Sequence, residues 1–139
     1  MSSKDEIINQ NKLIGNREDD LLVVFTIESH YYLVGVIQAK TSVRERMKTD
    51  AAHSQLMLKS GLWSIHVTID PDNFLRNPKF RKLADGTSEL GRVWHGVYKL
   101  SSLVAESTGI FDFNKLGTHL EQAIQITLQN KMSQGWHPE

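Results

Sequence analysis

Residues 31–46 read YYLVGVIQAKTSVRER. The apolar run Tyr31-Tyr32-Leu33-Val34-Gly35-Val36-Ile37 ends in Gln38-Ala39-Lys40, and a charged segment follows. Aromatic and β-branched residues dominate the run, so it reads as a buried strand. A lysine at the end of such a strand is positioned by a sheet rather than by a loop. Ser42-Val43-Arg44-Glu45 has the form S-x-x-E, which predicts a capped helix starting at Ser42. Strand, polar turn and helix start bring Gln38, Lys40 and a helix N-terminus close together, and helix N-termini attract phosphate.

Upstream, Leu21-Leu22-Val23-Val24-Phe25-Thr26-Ile27 reads as a second strand, headed by Glu18-Asp19-Asp20. A hairpin through Glu28-Ser29-His30 lays it beside the first. An aspartate then approaches Gln38 and Lys40 from the neighbouring strand.

Asp20-Leu21-Leu22-Val23-Val24, followed by Gly35-Val36-Ile37-Gln38-Ala39-Lys40-Thr41-Ser42-Val43-Arg44-Glu45-Arg46, resembles the PD-(D/E)xK nucleases. More narrowly it resembles type II restriction endonucleases in which the motif lysine opens a KTSxRxR-type helix. The resemblance spans roughly residues 17–100. It implies an α/β fold: a restriction-endonuclease-like mixed four-stranded sheet flanked by helices. Two positions depart from the pattern: no proline precedes the aspartate, and Gln38 stands where the family has Glu or Asp.

The resemblance also implies a chemistry. Water attacking a phosphodiester needs a cation that lowers its pKa and offsets charge in the transition state. Mg²⁺, with Mn²⁺ as a substitute, takes oxygen ligands. Carried over, Asp20 (or Asp19) is the metal ligand, Gln38 the second ligand, the Ala39 carbonyl a further oxygen and Lys40 the catalytic lysine. Three readings of Gln38 stay open. It coordinates as a neutral ligand, or the carboxylate has moved onto the following helix at Glu45 or Asp50, or the site is silent. Taken singly, these residues also have plain readings. Glu45 suits a capping box, and Arg44 and Arg46 suit a solvated helix face.

At 139 residues the chain is read as one domain, 1–139, with residues 1–16 and 132–139 as loose ends. An apolar content of 40% suffices for one core. The absence of cysteine removes disulfides, thiolate metal sites and cysteine nucleophiles. No apolar run has transmembrane length and the N-terminus has no secretory pattern, so a cytoplasmic protein is expected. A formal net charge of zero argues against simple coating of nucleic acid. It leaves room for local basic patches beside clustered carboxylates.

Elsewhere, a short amphipathic helix is expected within residues 1–17. The segment from Ser42 to about Ser60 reads as a helix with an apolar face of Val43, Met47, Ala51, Ser54 and Leu58. Residues 62–70 form a third strand, parallel to the second because a helix intervenes. Residues 72–91 form a long polar loop carrying Arg76, Lys79, Arg81 and Lys82, and residues 92–100 a fourth strand. Helices are expected over 101–106 and 114–131. His66 and His95 sit in strands and are assigned no role, while Trp94 and Tyr98 read as core. In a restriction-type fold the loop cations, with Arg44 and Arg46, are candidates for phosphate and base-edge contacts.

The function expected is Mg²⁺-dependent hydrolysis of double-stranded DNA by a type II restriction endonuclease, or a subunit or C-terminal portion of one. It would act as a homodimer, or with a partner subunit, because two-fold symmetry matches cutting of both strands. The alternative is a catalytically inactive DNA-binding or assembly module that keeps the fold.

Overall fold

The computed structural model describes residues 20–100, 103–129 and 132–139, apart from the side chain of Glu45. The helix expected within residues 1–17 lies outside them, as do Glu18 and Asp19. Five strands form one mixed sheet in sequential order. These are β1 (Leu21–Ile27), β2 (His30–Lys40), β3 (Trp63–Thr68), β4 (Gly96–Lys99) and β5 (Ile110–Asp112). The helices are α1 (Met47–Lys59), α2 (Pro78–Asp85) and α3 (Leu116–Gln129).

β1 and β2 are an antiparallel hairpin, whereas β2 through β5 are parallel. The hairpin turn is Glu28-Ser29, with φ of 50° and 67°. Both residues are left-handed, the primed geometry that matches strand twist. The register shifts between Val23 and Val24, which face Gly35 and Leu33, so Val34 is the extra residue of a bulge. Past the bulge the side-chain alternation changes phase. Val34 packs with Ile65 and Val67, while Val36 packs with Met57 of α1. From there Val36, Gln38 and Lys40 share the α1 face.

Gly35 lies opposite Trp63 of β3. A Cβ there would sit 2.0 Å from the Trp63 carbonyl oxygen. No side chain fits at that distance.

β3 is buried along its whole length. Its alternation of Ile65 and Val67 with Ser64, His66 and Thr68 suggests a half-exposed strand. Both faces are in fact covered. Ile65 and Val67 pack with Tyr98 and Ala123 on the α3 side. The polar face meets α1, where Ser54 Oγ lies 2.6 Å from Ser64 Oγ and 2.5 Å from the Val93 carbonyl. A separate apolar cluster joins Val43, Ala51, Leu75, Phe80, Ala84, Trp94, Val97 and Ile110.

Five local expectations change, the first being that residues 103–106, the described part of the helix expected over 101–106, are bend and loop. The sheet has five strands rather than four, because Ile110–Asp112 extends it between the two C-terminal helices expected. Three residues are too few to show a period. The polar loop 72–91 folds into a single-turn 3-10 helix at Phe74–Arg76 and then α2. Asn77 caps α2 by accepting from the Lys79 and Phe80 N–H groups, and Pro78 opens it. The helix after β2 starts as a 3-10 turn at Arg44–Arg46, with Val43 in the cap position and no side-chain cap bond. Ser42 therefore does not act as its cap. Residues 132–139, expected to be loose, dock onto the sheet. Met132 is buried, Ser133 accepts from His95, and Gln122 and Glu139 exchange two hydrogen bonds.

Candidate active site

The β1–β2 register sets Leu21 opposite Ile37, so Asp20 lies alongside the C-terminal end of β2. Lys40 Nζ is 3.4 Å from Asp20 Oδ1, and both side chains are buried, at 7% and 0% exposure. A third group completes the arrangement. His53 Nε2, from the buried face of α1, lies 3.6 Å from Asp20 Oδ2. One carboxylate is thus held between an ammonium and an imidazole, each on its own oxygen.

Gln38 is completely buried one residue pair deeper on the same face. Its Oε1 accepts from the Trp94 indole N–H at 2.8 Å and lies 3.2 Å from His66 Nδ1. The indole is a donor only, which fixes the orientation of the amide. Because Oε1 is an acceptor, His66 Nδ1 carries the proton of this second bond. Gln38 Nε2 donates to the Asp50 carbonyl at 2.9 Å. An amide oxygen has two lone pairs, and both face protein donors here. In this arrangement Gln38 ties α1 to the sheet.

The two carboxylates considered as migrated ligands differ. The Glu45 side chain lies outside the described residues. The Asp50 carboxylate is buried and its Oδ1 lies 3.7 Å from Arg46 Nε, one helical turn back. Ala39 is exposed at the end of β2, in register with Val67. Among the described residues, no three Asp, Glu or His side chains converge as a ready-made metal cluster.

Arg44 projects from the 3-10 turn before α1. Its Nε lies 2.9 Å from Asp72 Oδ2, and its guanidinium stacks 5.6 Å from the Phe74 ring centre. The turn that carries Asp72 is itself hydrogen-bonded. Asp70 is buried, with left-handed φ of 55°, and its carboxylate accepts from the Phe74 and Leu75 N–H groups. The Asp70 N–H in turn donates to the Thr41 carbonyl, just past Lys40. The segments following β2 and β3 are therefore fastened to each other. Arg76, Lys79, Arg81 and Lys82 are all exposed, on the 3-10 turn and on α2.

His53 and Asp70 did not stand out in the sequence. The available signal for His53 was its place among Asp50, Ser54 and Gln55, a polar run through the middle of an otherwise core-facing helix. For Asp70 it was a strand-end aspartate followed by Pro71 and Asn73, residues typical of a fixed turn.

A family model described as BsaWI restriction endonuclease type 2 matches residues 2–132. The chain belongs to that family. Among solved structures, it resembles the pre-specific restriction endonuclease BsaWI crystallised in complex with DNA. The match has a TM-score of 0.76 and 24% identity, and covers 95% of this chain. At that identity the likeness speaks for the fold. The chain spans 56% of the length of that BsaWI chain. Comparison with curated proteins gives no match. Among the described residues of this BsaWI-family chain, no helix is long and apolar enough to cross a membrane.

Proposed function

We propose that the chain hydrolyses phosphodiester bonds in duplex DNA as a metal-dependent endonuclease of the restriction class. The observation that carries this reading is the buried Asp20 carboxylate between Lys40 and His53, at the shared end of two strands. A strand-end acid and ammonium held together by a sheet are what attack on a phosphate requires. Family membership supports the same chemistry.

Asp20 is the carboxylate that would hold a divalent cation, with Lys40 and His53 against its two oxygens. Few protein ligands suit a hard cation that keeps several waters. When bound, such an ion supplies Lewis acidity to the scissile phosphate and to water. Lys40 donates hydrogen bonds from its ammonium to a phosphate oxygen or to the attacking water. Asp20 orients that ammonium through its Oδ1. Gln38, Trp94 and His66 keep α1 at fixed depth, so that His53 stays against the carboxylate. Arg44, Arg46 and the cations of the Phe74–Asp85 segment hold the DNA backbone and read base edges. Two copies related by a two-fold axis cut the two strands.

The test is cleavage of supercoiled plasmid with Mg²⁺ or Mn²⁺. The wild type cuts, while Asp20→Ala and Lys40→Ala lose on the order of 10²–10³-fold in rate, the scale of losing one charge-stabilising group. Three proteins with the same rate would place the chemistry elsewhere. A second reading, a silent DNA-binding module, is favoured by the closed hydrogen bonding of Gln38. It predicts salt-sensitive DNA binding with no cutting by the wild type in either metal.

A further inference from the structure

We infer that Lys99 holds a phosphate of the DNA backbone, a different one from the phosphate that Lys40 faces. The inference rests on the duplex-DNA reading above and adds a second anchoring point to it.

The sheet register carries it. β2 through β5 are parallel, so their C-terminal ends lie along one edge. At that edge Lys40 pairs with Thr68, Thr68 with Lys99, and Lys99 with Asp112. Residues in such a row point to one face of the sheet, so Lys99 stands on the α1 face with Lys40. Val97, two residues earlier on β4, packs in the same cluster as Ala51 of α1. In open α/β sheets this C-terminal edge is where ligands bind.

Lys99 is largely buried, with 8% of its surface exposed. Its ammonium reaches the Asp112 carboxylate, whose side chain is 48% exposed. The stem therefore lies along the sheet and the charged head comes out at the rim. Stability alone gives little reason for that arrangement. An ion pair with one partner half in solvent contributes little, and fixing a lysine stem costs rotamer entropy. A cation already fixed at the rim does serve a polyanion, because the side chain is ordered before the ligand arrives.

Spacing separates the two lysines. Neighbouring strands stand about 4.8 Å apart, so Lys40 and Lys99 are roughly 10 Å apart along the edge. Lys40 leans toward Asp20 at the head of β1, and Lys99 leans the other way, toward Asp112 of β5. One strand of B-DNA carries a phosphate about every 3.4 Å of its axis, so the two ammoniums meet different phosphates, roughly three steps apart. In this arrangement Lys40 serves the phosphate that is cut and Lys99 fixes the register of the same strand. Thr68, between them, is engaged by the fold: its hydroxyl donates to the Thr41 carbonyl and accepts from the Asp70 N–H.

The experiment measures binding of the full chain to a short fluorescent duplex by anisotropy across a salt series, with EDTA present so that nothing is cut. Lys99→Met keeps the length of the stem and removes the charge. It should bind on the order of tenfold more weakly at about 0.1 M salt, and the slope of log affinity against log salt should fall by about 0.9, the share of one phosphate contact. Lys99→Arg should keep the wild-type slope. Asp112→Asn removes the carboxylate that competes with the phosphate, so it should bind severalfold more tightly. An ion pair that serves only the fold gives the opposite pattern: Lys99→Met and Asp112→Asn lose stability alike, and Lys99→Met keeps the wild-type slope. That pattern overturns the inference whether or not the wild type cuts plasmid. If Lys99→Met does not fold, Asp112→Asn decides, and binding by it that is unchanged or weaker overturns the inference. A wild type that binds with a steep salt dependence but cuts with neither Mg²⁺ nor Mn²⁺ removes the cleavage reading and leaves Lys99 on the backbone. A wild type without salt-sensitive binding overturns both.

Discussion

Gln38 and Trp94, 56 residues apart, are joined by a buried 2.8 Å hydrogen bond from the indole N–H to the amide oxygen. This bond closes a chain that runs from α1 through the Asp50 carbonyl and Gln38 to Trp94 and His66. At the place where the related nuclease motif puts an acid, the protein has a neutral amide whose oxygen faces two donors and whose nitrogen donates to the Asp50 carbonyl. These bonds account for a glutamine at this place, two residues before Lys40, by the way it ties α1 to the sheet.

Gln38→Leu leaves an indole N–H, an imidazole N–H and a carbonyl without their common partner. Each buried group of this kind costs about 1–3 kcal/mol, and neighbouring losses are not additive. The expected destabilisation is on the order of 3 kcal/mol by urea denaturation. Gln38→Glu should be destabilised too, because a carboxylate oxygen would then face the Asp50 carbonyl. Its plasmid cleavage should not exceed that of the wild type. A Gln38→Glu protein that is as stable and cuts faster would restore position 38 as a ligand.

Gly35→Ala tests the close approach of β2 to β3. The added methyl would meet the Trp63 carbonyl oxygen at 2.0 Å, and backbone on a central strand cannot step aside. Overpacking of a core costs about 1–3 kcal/mol, occasionally more. This substitution is expected at or above the top of that range, seen as a lower urea midpoint. A midpoint unchanged from the wild type would mean the strands can separate locally.

The hairpin, the parallel crossover and the approach of an acid to Lys40 were all legible in residues 20–70. Strands with continuous apolar runs announce themselves, and two adjacent strands leave few registers. What escaped was tertiary. Val34 bulges, and that changes which residues face α1. His53 reaches Asp20 only because Gln38 draws α1 onto a polar sheet face, and no periodicity in the helix encodes that contact. The S-x-x-E pattern at Ser42 suggested a cap, yet the helix starts later, at a 3-10 turn whose Arg44 is held by Asp72. Three-residue β5 carries no pattern of its own and forms because β4 offers it an edge.

Arg44→Ala removes an exposed cation that Asp72 and Phe74 hold in one pose. If it meets a phosphate, the slope of log affinity against log salt should fall by about 0.9, the effect of one contact on B-DNA. Fluorescence anisotropy with a short duplex across a salt series measures this. Asp72→Asn keeps the cation but frees it, so the slope should stay near the wild-type value. An unchanged slope in Arg44→Ala would assign Arg44 to the fold alone.

His95 sets a pH dependence. It is buried between Ser64 and the C-terminal segment, accepting from the Ser64 N–H at 3.0 Å through Nδ1. Its Nε2–H therefore donates to the Ser133 carbonyl at 2.9 Å, and Trp136 packs edge-on against the ring. Burial depresses its pKa to about 4 from 6.5, with Arg92 and His137 adding to the fall and the Ser133 bond opposing it. The folded state thus favours the neutral ring, and the unfolded chain binds the extra proton between those values. Stability is fully present above pH 6.5 and declines as pH falls toward 4. The size is on the order of 3 kcal/mol. His95→Asn keeps an acceptor for Ser64 and cannot titrate. It should be less stable than the wild type at pH 7.5 and show a flatter stability profile below pH 6.5. Chemical denaturation at a series of pH values reads both, and parallel profiles for the two proteins would remove His95 as the cause.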